Sequence, residues 1–175
     1  MSDRIPTITT ARLTLRPFTP QDDIRLHRIM NEPGIMQYFP RTDPPDIDRV
    51  RNLIARQLMQ YETYSLGWWA VVPQGQEDFI GWNVLQYIPE TDEVEVGYLL
   101  SRHFWGQGYA TEGAKATLEF GFKTLKLPQI IGLTHPENTA SQNVLKKCGM
   151  RYVEEKEYFG MQLFRFVLQN QIPKK

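Results

Sequence analysis

The amino-acid sequence predicts an α/β or α+β domain built on a mixed β-sheet. Several short segments alternate apolar and polar residues, as half-buried strands do. Other segments carry apolar residues at a spacing of three or four, which is typical of helices that bury one face. Hairpins are predicted early and late in the chain, with a strand–helix–strand unit between them. Residues 1–175 contain no internal repeat, low-complexity tract or linker, so we expect a single domain.

The first predicted elements are a strand and a helix. Residues 12–16 read Arg-Leu-Thr-Leu-Arg and alternate as a half-buried strand does. Thr19, Pro20 and Asp22 then supply a helix cap, a proline in the first turn and an acid near the positive end of the helix dipole. We expect this helix to end around residues 31–34.

A second helix is predicted to start within residues 43–46, with Pro44 and Pro45 in its opening turn. One face of this helix carries apolar residues at helical spacing: Ile47, Val50, Ile54, Leu58 and Tyr61.

Three strands are predicted next, over residues 67–72, 79–88 and 93–100. The turn-forming residues 89–92, Pro-Glu-Thr-Asp, separate the last two strands. We therefore expect these two strands to form an antiparallel hairpin.

The second half of the chain alternates helices and strands. A helix is predicted over residues 108–125, and its buried stripe comprises Ala114, Leu118, Phe122 and Leu125. A strand over residues 129–134 leads to a helix over residues 139–147, which Gly149 closes. Two last strands, over residues 150–156 and 159–168, are expected to pair around residues 158–160.

Composition excludes several classes of protein. Lysine plus arginine number 20 and aspartate plus glutamate number 20, so net charge gives no case for nucleic acid or an anionic membrane as the main partner. The single cysteine, Cys148, rules out an internal disulfide and argues against a metal site built on thiolates. No apolar stretch approaches the roughly 20 residues of a spanning helix, and residues 1–6 do not resemble a secretory signal. We expect a cytoplasmic protein.

The chemistry is concentrated in residues 93–112, where a strand runs into a tight loop and a helix starts at the end of the loop. Gly106 and Gly108 allow the loop backbone to approach a ligand closely. The first free amides of the helix and its dipole add positive potential. The segment therefore predicts an anion site suited to a pyrophosphate.

Three phosphate-binding patterns compete for this loop. A nucleotide P-loop requires a lysine followed by serine or threonine, which are absent. A dinucleotide fingerprint requires a third glycine, where Thr111 stands. The remaining pattern, Arg/Gln-x-x-Gly-x-Gly/Ala, is the pyrophosphate loop of the GNAT acetyltransferases. The chain matches it at Gly108 and Ala110 and departs from it at the first position, Trp105. Two glycines that only make a turn before a helix are the simpler alternative.

A second segment strengthens this resemblance. Residues 138–150 contain Asn138, Ser141, Leu145 and Gly149-Met150, which resembles the Asn-x-x-Ser-x-x-x-Leu-x-x-x-Gly-Phe/Met segment of the GNAT superfamily. Residues 10–16 and the Glu-Val-Gly-Tyr segment at 95–98 further resemble the RimJ/RimL branch, the ribosomal-protein N-terminal acetyltransferases. These four segments follow the order found in the family and cover nearly the whole chain.

The resemblance implies a mostly antiparallel central sheet that splays open at mid-sheet, after the 93–100 strand, with about four flanking helices. It also implies that acetyl-CoA is the co-substrate. Pantetheine would lie in the opening, against backbone groups of Leu99, Leu100 and Ser101. The pyrophosphate would lie on the loop formed by Trp105, Gly106, Gln107, Gly108, Tyr109, Ala110 and Thr111. Asn138 would contact the pantetheine arm from the other side.

Acetyl transfer to an amine requires a base, a donor for the thioester oxygen and a proton source for the thiolate. A backbone amide near Leu100 suits the thioester oxygen. We expect Glu95 to be the base and Glu93 to be the second candidate, because residues two apart on a strand share one face. The alternative is that both glutamates only solvate the strand. The resemblance implies that Ser141 is the acid, since Lys146 occupies the position where many family members carry a tyrosine; the alternative is a hydroxyl that only satisfies backbone.

We expect the remaining reactive and aromatic side chains to serve the fold rather than the chemistry. Cys148 lies next to the glycine that ends a helix, so we expect it to be buried and inert. His103 is expected to be exposed, and His135, before Pro136, is expected to form a turn. We expect Trp68, Trp69 and Trp82 mainly in the core. One of them is an alternative candidate to line an acceptor pocket, because alternate strand positions face opposite sides of the sheet. Trp105 implies fewer side-chain contacts to phosphate than the usual arginine or glutamine.

We therefore predict an N-acetyltransferase that acts on a protein N-terminus or on a small-molecule amine by direct attack in a ternary complex. A non-catalytic CoA-binding module is the alternative, and a nucleotide-dependent oxidoreductase is a weaker one. Residues 31–43 and 61–67 are expected to shape the acceptor pocket. A homodimer fits the branch, although nothing in the chain requires one.

Overall fold

The computed structural model of the protein describes residues 5–171, which form eight strands and four α-helices. The strands are β1 (Ile8–Thr9), β2 (Leu13–Pro17), β3 (Trp68–Pro73), β4 (Gly81–Ile88), β5 (Glu93–Leu100), β6 (Gln129–Thr134), β7 (Arg151–Tyr158) and β8 (Met161–Gln169). The helices are α1 (Asp23–Met30), α2 (Ile47–Tyr64), α3 (Tyr109–Lys123) and α4 (Thr139–Lys147). None of the helices in this part of the chain is long and apolar enough to cross a membrane.

One sheet contains all of these strands, in the order β1-β2-β3-β4-β5-β6-β8-β7. Neighbouring strands are antiparallel except for β5 and β6, which are parallel. The β4–β5 register pairs every residue of β5, whereas the β5–β6 register consists of the pair Glu95 and Ile131. The sheet therefore opens between β5 and β6, and the predicted mixed, mostly antiparallel and splayed architecture is confirmed.

Helices cover both faces of the sheet. Alternation along β3 sends Trp69 into the core beneath α3 and α4, and Trp68 into the core beneath α1 and α2. The predicted stripe of α3 contributes Ala114, Leu118 and Phe122 to the first of these cores. The connection from β5 to β6 through α3 places the start of α3 beside the opening in the sheet.

The prolines before α2 lie outside that helix, so the expectation that Pro44 and Pro45 form its opening turn is wrong. Asp46 is the N-cap, and its side chain accepts a hydrogen bond of 2.8 Å from the backbone N–H of Arg49. This cap satisfies a free amide of the first turn, which sets the first helical residue at Ile47.

Most other element boundaries agree with the predictions to within two residues. Strands β5 and β6 and helix α4 begin and end at the predicted residues. The short strand β1 was not predicted, because its two residues contain too little pattern and depend on pairing with β2. Leu125 follows α3, which ends at Lys123, although Leu125 still packs against the core.

Candidate active site

The opening between β5 and β6 exposes backbone groups of β5. The N–H of Ser101 donates to the carbonyl of Ile80 on the β4 side, at 2.8 Å. Successive N–H groups of a strand point to opposite edges, so the amides of Leu100 and Tyr98 point toward β6. Because β5 and β6 have separated at this point, these amides face the opening rather than a neighbouring strand.

The glycine loop follows β5 directly. Gly106 and Gly108 have φ angles of +72° and +82°, in the left-handed region that favours glycine. Helix α3 begins at Tyr109, and the N–H of Glu112 donates to the carbonyl of Gly108 at its first turn. The amides of Tyr109, Ala110 and Thr111 therefore have no partner within the helix. A Cβ added at Gly106 would meet nothing within 4 Å, so the loop has room for an anion.

Two side chains of the loop bond to protein groups rather than pointing into this space. The indole Nε1 of Trp105 donates to the carbonyl of Leu100 at 2.7 Å, and Gln107 Nε2 donates to the carbonyl of His103 at 3.0 Å. The guanidinium of Arg102 lies 5.2 Å from the Trp105 ring. Trp105 thus ties the loop to the end of β5, and backbone amides are the main donors that the loop offers to a phosphate.

Glu95 is the buried carboxylate beside the opening, with 7% of its surface exposed. Its Oε2 accepts a hydrogen bond of 2.6 Å from the side-chain amide of Gln86 on β4. Burial raises the pKa of Glu95 from 4.5 to about 7, against smaller opposing effects of Gln86 and the backbone amide of Leu133. A carboxylate with such a pKa exchanges protons readily near neutral pH.

Glu93 lies on the same face of β5 but is part of an ion pair. Its carboxylate accepts hydrogen bonds from the Arg165 guanidinium at 2.5 and 3.0 Å and from the Tyr158 hydroxyl at 2.7 Å. Burial alone would raise the pKa of Glu93, but these donors outweigh it and hold the pKa below its ordinary value. Glu93 is therefore held as an anion that joins β5 to the β7–β8 hairpin, and it is a poor candidate for a base.

Ser141 lies in the first turn of α4, where Asn138 caps the helix. The Oδ1 of Asn138 accepts from the backbone N–H of Ser141 at 3.1 Å, so this oxygen acts as a helix cap. The hydroxyl of Tyr98 lies 2.9 Å from Ser141 Oγ and 3.1 Å from the Ser141 carbonyl oxygen. Burial raises the pKa of Tyr98, so the phenol stays protonated and able to donate.

Aromatic side chains lie on the sheet face that carries Glu95. Trp82 packs edge-on against Phe39, with ring centroids 6.2 Å apart, and its buried Nε1 has no hydrogen-bond partner within residues 5–171. The ring of Tyr38 stacks on His135, with centroids 5.3 Å apart. Tyr38 belongs to the α1–α2 loop and His135 follows β6, so this stack joins the two sides of the opening.

The predicted acceptor loop contains a cleft of about 280 Å³. It is lined by Met30, Asn31, Glu32, Pro33, Gly34, Met36, Gln37, Thr42 and Pro44. Glu32 accepts a hydrogen bond of 2.9 Å from the backbone N–H of Arg102, which ties this loop to the segment that follows β5. The second predicted segment, residues 61–67, is the last turn of α2 and the entry to β3, where Tyr64 packs on Tyr87 at 4.7 Å.

Three residues predicted to be structural are placed as expected. Cys148 is buried, and burial raises the pKa of its thiol to about 11, which keeps it unreactive. His103 is exposed. His135 Nδ1 accepts from the N–H of Glu137 at 3.2 Å, which stabilises a turn.

Sequence reasoning missed Gln86 and Tyr98 as partners of the predicted base and acid. The signal for Gln86 was the predicted hairpin, which places Gln86 directly opposite Glu95 in the β4–β5 register. No comparable signal existed for Tyr98, because its partner Ser141 lies 43 residues further along the chain.

Comparisons with known proteins agree with the geometry. Residues 12–151 match the family described as an acetyltransferase (GNAT) domain. The chain is 33% identical over 157 residues to the FsC-acetyl coenzyme A-N(2)-transacetylase of Aspergillus fumigatus, an alignment that covers 85% of this chain and 66% of the fungal protein. A GNAT-family acetyltransferase structure from Bacillus anthracis has a TM-score of 0.82 at 25% identity, over 95% of this chain and 100% of that one. Mycobacterium smegmatis RimJ in complex with CoA-disulfide has a TM-score of 0.81 at 17% identity, over 94% and 87% of the two chains, which shows a shared fold.

Proposed function

Because the chain belongs to the GNAT family and is an acetyl-CoA-dependent N-acetyltransferase, we propose that it acetylates a primary amine by direct attack in a ternary complex, with Glu95 as the base. The observation that carries this proposal is that Glu95, beside the opening in the sheet, is a buried carboxylate with a pKa of about 7.

The amine must lose a proton before it can attack. A free α-amine has a pKa of about 8 and a lysine side chain one of about 10.4, so both are largely protonated at neutral pH. Glu95, directly or through a water, accepts this proton. Glu93 is less suited to the task, because Arg165 and Tyr158 already stabilise its charged form.

The reaction then needs hydrogen-bond donors for the negative charge that develops on the thioester oxygen and on the departing sulfur. The neutral amine attacks the thioester carbonyl carbon, and the amide of Leu100 supports the proposal because it faces the opening as a donor for the carbonyl oxygen. The C–S bond breaks, and Ser141 gives its hydroxyl proton to the departing sulfur, which leaves as the thiol. The proton that the nitrogen loses as the amide forms then restores the serine hydroxyl, so the net transfer is from nitrogen to sulfur, and Tyr98 holds that hydroxyl in place.

The cofactor contacts that the sequence predicts are part of the proposal. The pantetheine arm is proposed to lie against the β5 backbone at Leu99, Leu100 and Ser101. The pyrophosphate is proposed to bind the amides of the glycine loop, at Trp105, Gly106, Gln107, Gly108, Tyr109, Ala110 and Thr111. Support comes from the free first-turn amides of α3 and the open space at Gly106. Asn138 uses its oxygen as the cap, so we propose that its side-chain nitrogen contacts the pantetheine.

For the acceptor, we propose a protein N-terminal α-amine or a small-molecule amine that enters on the face of Glu95. Aromatic pairs support this side, because Trp82 packs on Phe39 and Tyr38 stacks on His135. A cytoplasmic location and a homodimer stay predictions of the sequence.

The test is an acetyl-transfer assay with purified protein, acetyl-CoA and a panel of N-terminal peptides, amino acids and polyamines, followed by thiol release. Acceptor-dependent release that collapses in Glu95→Gln and Ser141→Ala is the expected result, and the active acceptors identify the substrate class. Binding of CoA without release on any acceptor would favour the non-catalytic module instead. No binding of CoA would contradict the whole assignment.

A further inference from the structure

Arg12, the residue before β2, connects the sheet to the glycine loop. Its Nη1 donates to the carbonyl oxygen of Gln107 at 3.0 Å, and its Nε donates to the carboxylate of Glu112 at 2.7 Å. The guanidinium carbon also lies 4.6 Å from the centre of the Tyr109 ring. One side chain thus contacts the loop and the first turn of α3 at the same time.

Glu112 fixes the orientation of this guanidinium. Its Oε1 accepts from the hydroxyl of Thr10 at 2.6 Å and from the backbone N–H of Arg12 at 2.8 Å, while Oε2 accepts from Arg12 Nε. The Glu112 side chain is 18% exposed and the Arg12 side chain 47%, so the pair is partly open to water and its geometry depends on the several bonds that converge on Glu112. The carboxylate also neutralises the charge of Arg12. We therefore expect Arg12 to act through its directed hydrogen bond to the loop rather than through charge attraction to a phosphate.

The bond to Gln107 determines which way the next amide points. In a trans peptide the carbonyl oxygen and the following N–H point in opposite directions, and the described residues contain no cis peptide. Because Arg12 holds the Gln107 oxygen on its own side, the N–H of Gly108 points away from Arg12. Gly108, which has no side chain, would otherwise let this peptide rotate about its φ torsion at little cost.

We propose that Arg12 is a positioning residue that orients the Gln107–Gly108 peptide so that the Gly108 amide donates to the pyrophosphate of acetyl-CoA. The family pattern carries arginine or glutamine at the position of Trp105, whose indole is bonded to Leu100 instead. Arg12, directly before β2 and 95 residues ahead of Gln107 in the chain, contacts the loop from another part of the fold. The inference rests on the proposed function, since it assumes that the loop binds the pyrophosphate.

Calorimetry with CoA, and NMR titration with pantetheine, test the role of Arg12 without knowledge of the acceptor. Pantetheine lacks the pyrophosphate. In Arg12→Ala we expect the Kd for CoA to rise about tenfold, roughly the loss of one ligand hydrogen bond, while the Kd for pantetheine stays within about twofold. Arg12→Lys should resemble Arg12→Ala, because a lysine cannot reproduce the two fixed donor directions of the guanidinium.

Arg51→Ala is the matched control, since Arg51 pairs with Asp23 and Asp48 away from the loop, and its Kd for CoA should stay unchanged. Glu112→Ala should weaken CoA binding like Arg12→Ala, and the double variant should add little. Wild-type affinity in Arg12→Lys would show that only charge matters, and equal weakening toward CoA and pantetheine would show a general structural defect. Either result would overturn the inference, as would unchanged binding in Arg12→Ala. If wild type fails to bind CoA, the proposed function itself fails.

Discussion

Gln86 and Glu95 face each other across the β4–β5 pair, with the Gln86 amide nitrogen 2.6 Å from the Glu95 carboxylate. The amide orients this carboxylate but brings no positive charge, so burial still raises the pKa of Glu95 to about 7. Two residues earlier, Glu93 meets Arg165, and its pKa is lowered. One strand therefore holds two carboxylates whose environments shift their pKa values in opposite directions, which favours Glu95 over Glu93 as the proposed base.

Glu95→Gln should lower kcat by about a hundredfold or more, because the variant cannot accept the proton of the amine. In wild type, kcat should rise with pH through about 7 as Glu95 ionises, and this inflection should vanish in the variant. The measurement is thiol release across pH 5.5–9. Glu93→Gln is the matched control, and a larger loss of kcat in Glu93→Gln than in Glu95→Gln would reverse the assignment.

The raised pKa of Glu95 also predicts a cost in stability at high pH. Glu95 binds its proton more tightly in the folded state than in the unfolded one, so its contribution is fully present below about pH 4.5 and is lost as pH rises through about 7. Above that pH, Glu95→Gln should be more stable than wild type by about 1–3 kcal/mol, and the difference should shrink toward pH 5. Urea unfolding at pH 5.5 and 8.5 measures this, and a difference that does not change with pH would refute the prediction.

The Glu93 ion pair should be important for stability rather than for catalysis. In Glu93→Gln, Arg165 loses its short ion pair and keeps the longer one to Glu154, at 3.6 Å, while Tyr158 loses a charged acceptor. We expect the free energy of unfolding to fall by about 1–3 kcal/mol at pH 7, with kcat within a few-fold of wild type. Chemical denaturation checks the first value, and unchanged stability would show that the pair contributes little.

The sequence could predict that Glu93 and Glu95 share a face of β5, but not which of the two is held in an ion pair. Alternation along a strand is local, so Glu93 and Glu95 look equivalent in the sequence. Their difference comes from Tyr158 and Arg165, which lie 65 and 72 residues away from Glu93 along the chain. Only the pairing of β8 with β6 and β7 brings these partners to the sheet beside β5.

The glycine loop was predictable because its features are local. Gly106 and Gly108 require left-handed φ angles, and a helix start follows them within the same segment. The residues that hold this loop were not predictable, since Arg12 reaches it only through the fold of the whole sheet. Pro44 and Pro45 show that a local preference can also mislead. Proline favours the first turn of a helix, but the side chain of Asp46 caps α2 and the helix begins after both prolines.

Ser141 and Tyr98 should behave as one unit. Ser141→Ala should lower kcat about tenfold to a hundredfold with little change in the KM for acetyl-CoA, because the proposed role of the serine is to protonate the departing sulfur. Tyr98→Phe removes the hydroxyl that holds Ser141 and should cost about threefold to tenfold. In the Ser141→Ala background, Tyr98→Phe should have almost no further effect. Thr139→Ala, at an exposed residue of the same helical turn, is the control, and additive losses would show that Tyr98 acts independently of Ser141.

Tyr38 should affect the acceptor and not the cofactor. Its ring stacks on His135 and joins the α1–α2 loop to the segment after β6, on the side of the opening where Glu95 lies. Loss of this stack in Tyr38→Ala should raise the KM of the acceptor about twofold to tenfold, which corresponds to the usual strength of an aromatic pair. The Kd for CoA should not change.

Tyr64→Ala is the matched variant, since Tyr64 packs on Tyr87 in the other segment predicted to shape the pocket. A change of acceptor KM in Tyr64→Ala with none in Tyr38→Ala would place the acceptor at the end of α2 instead.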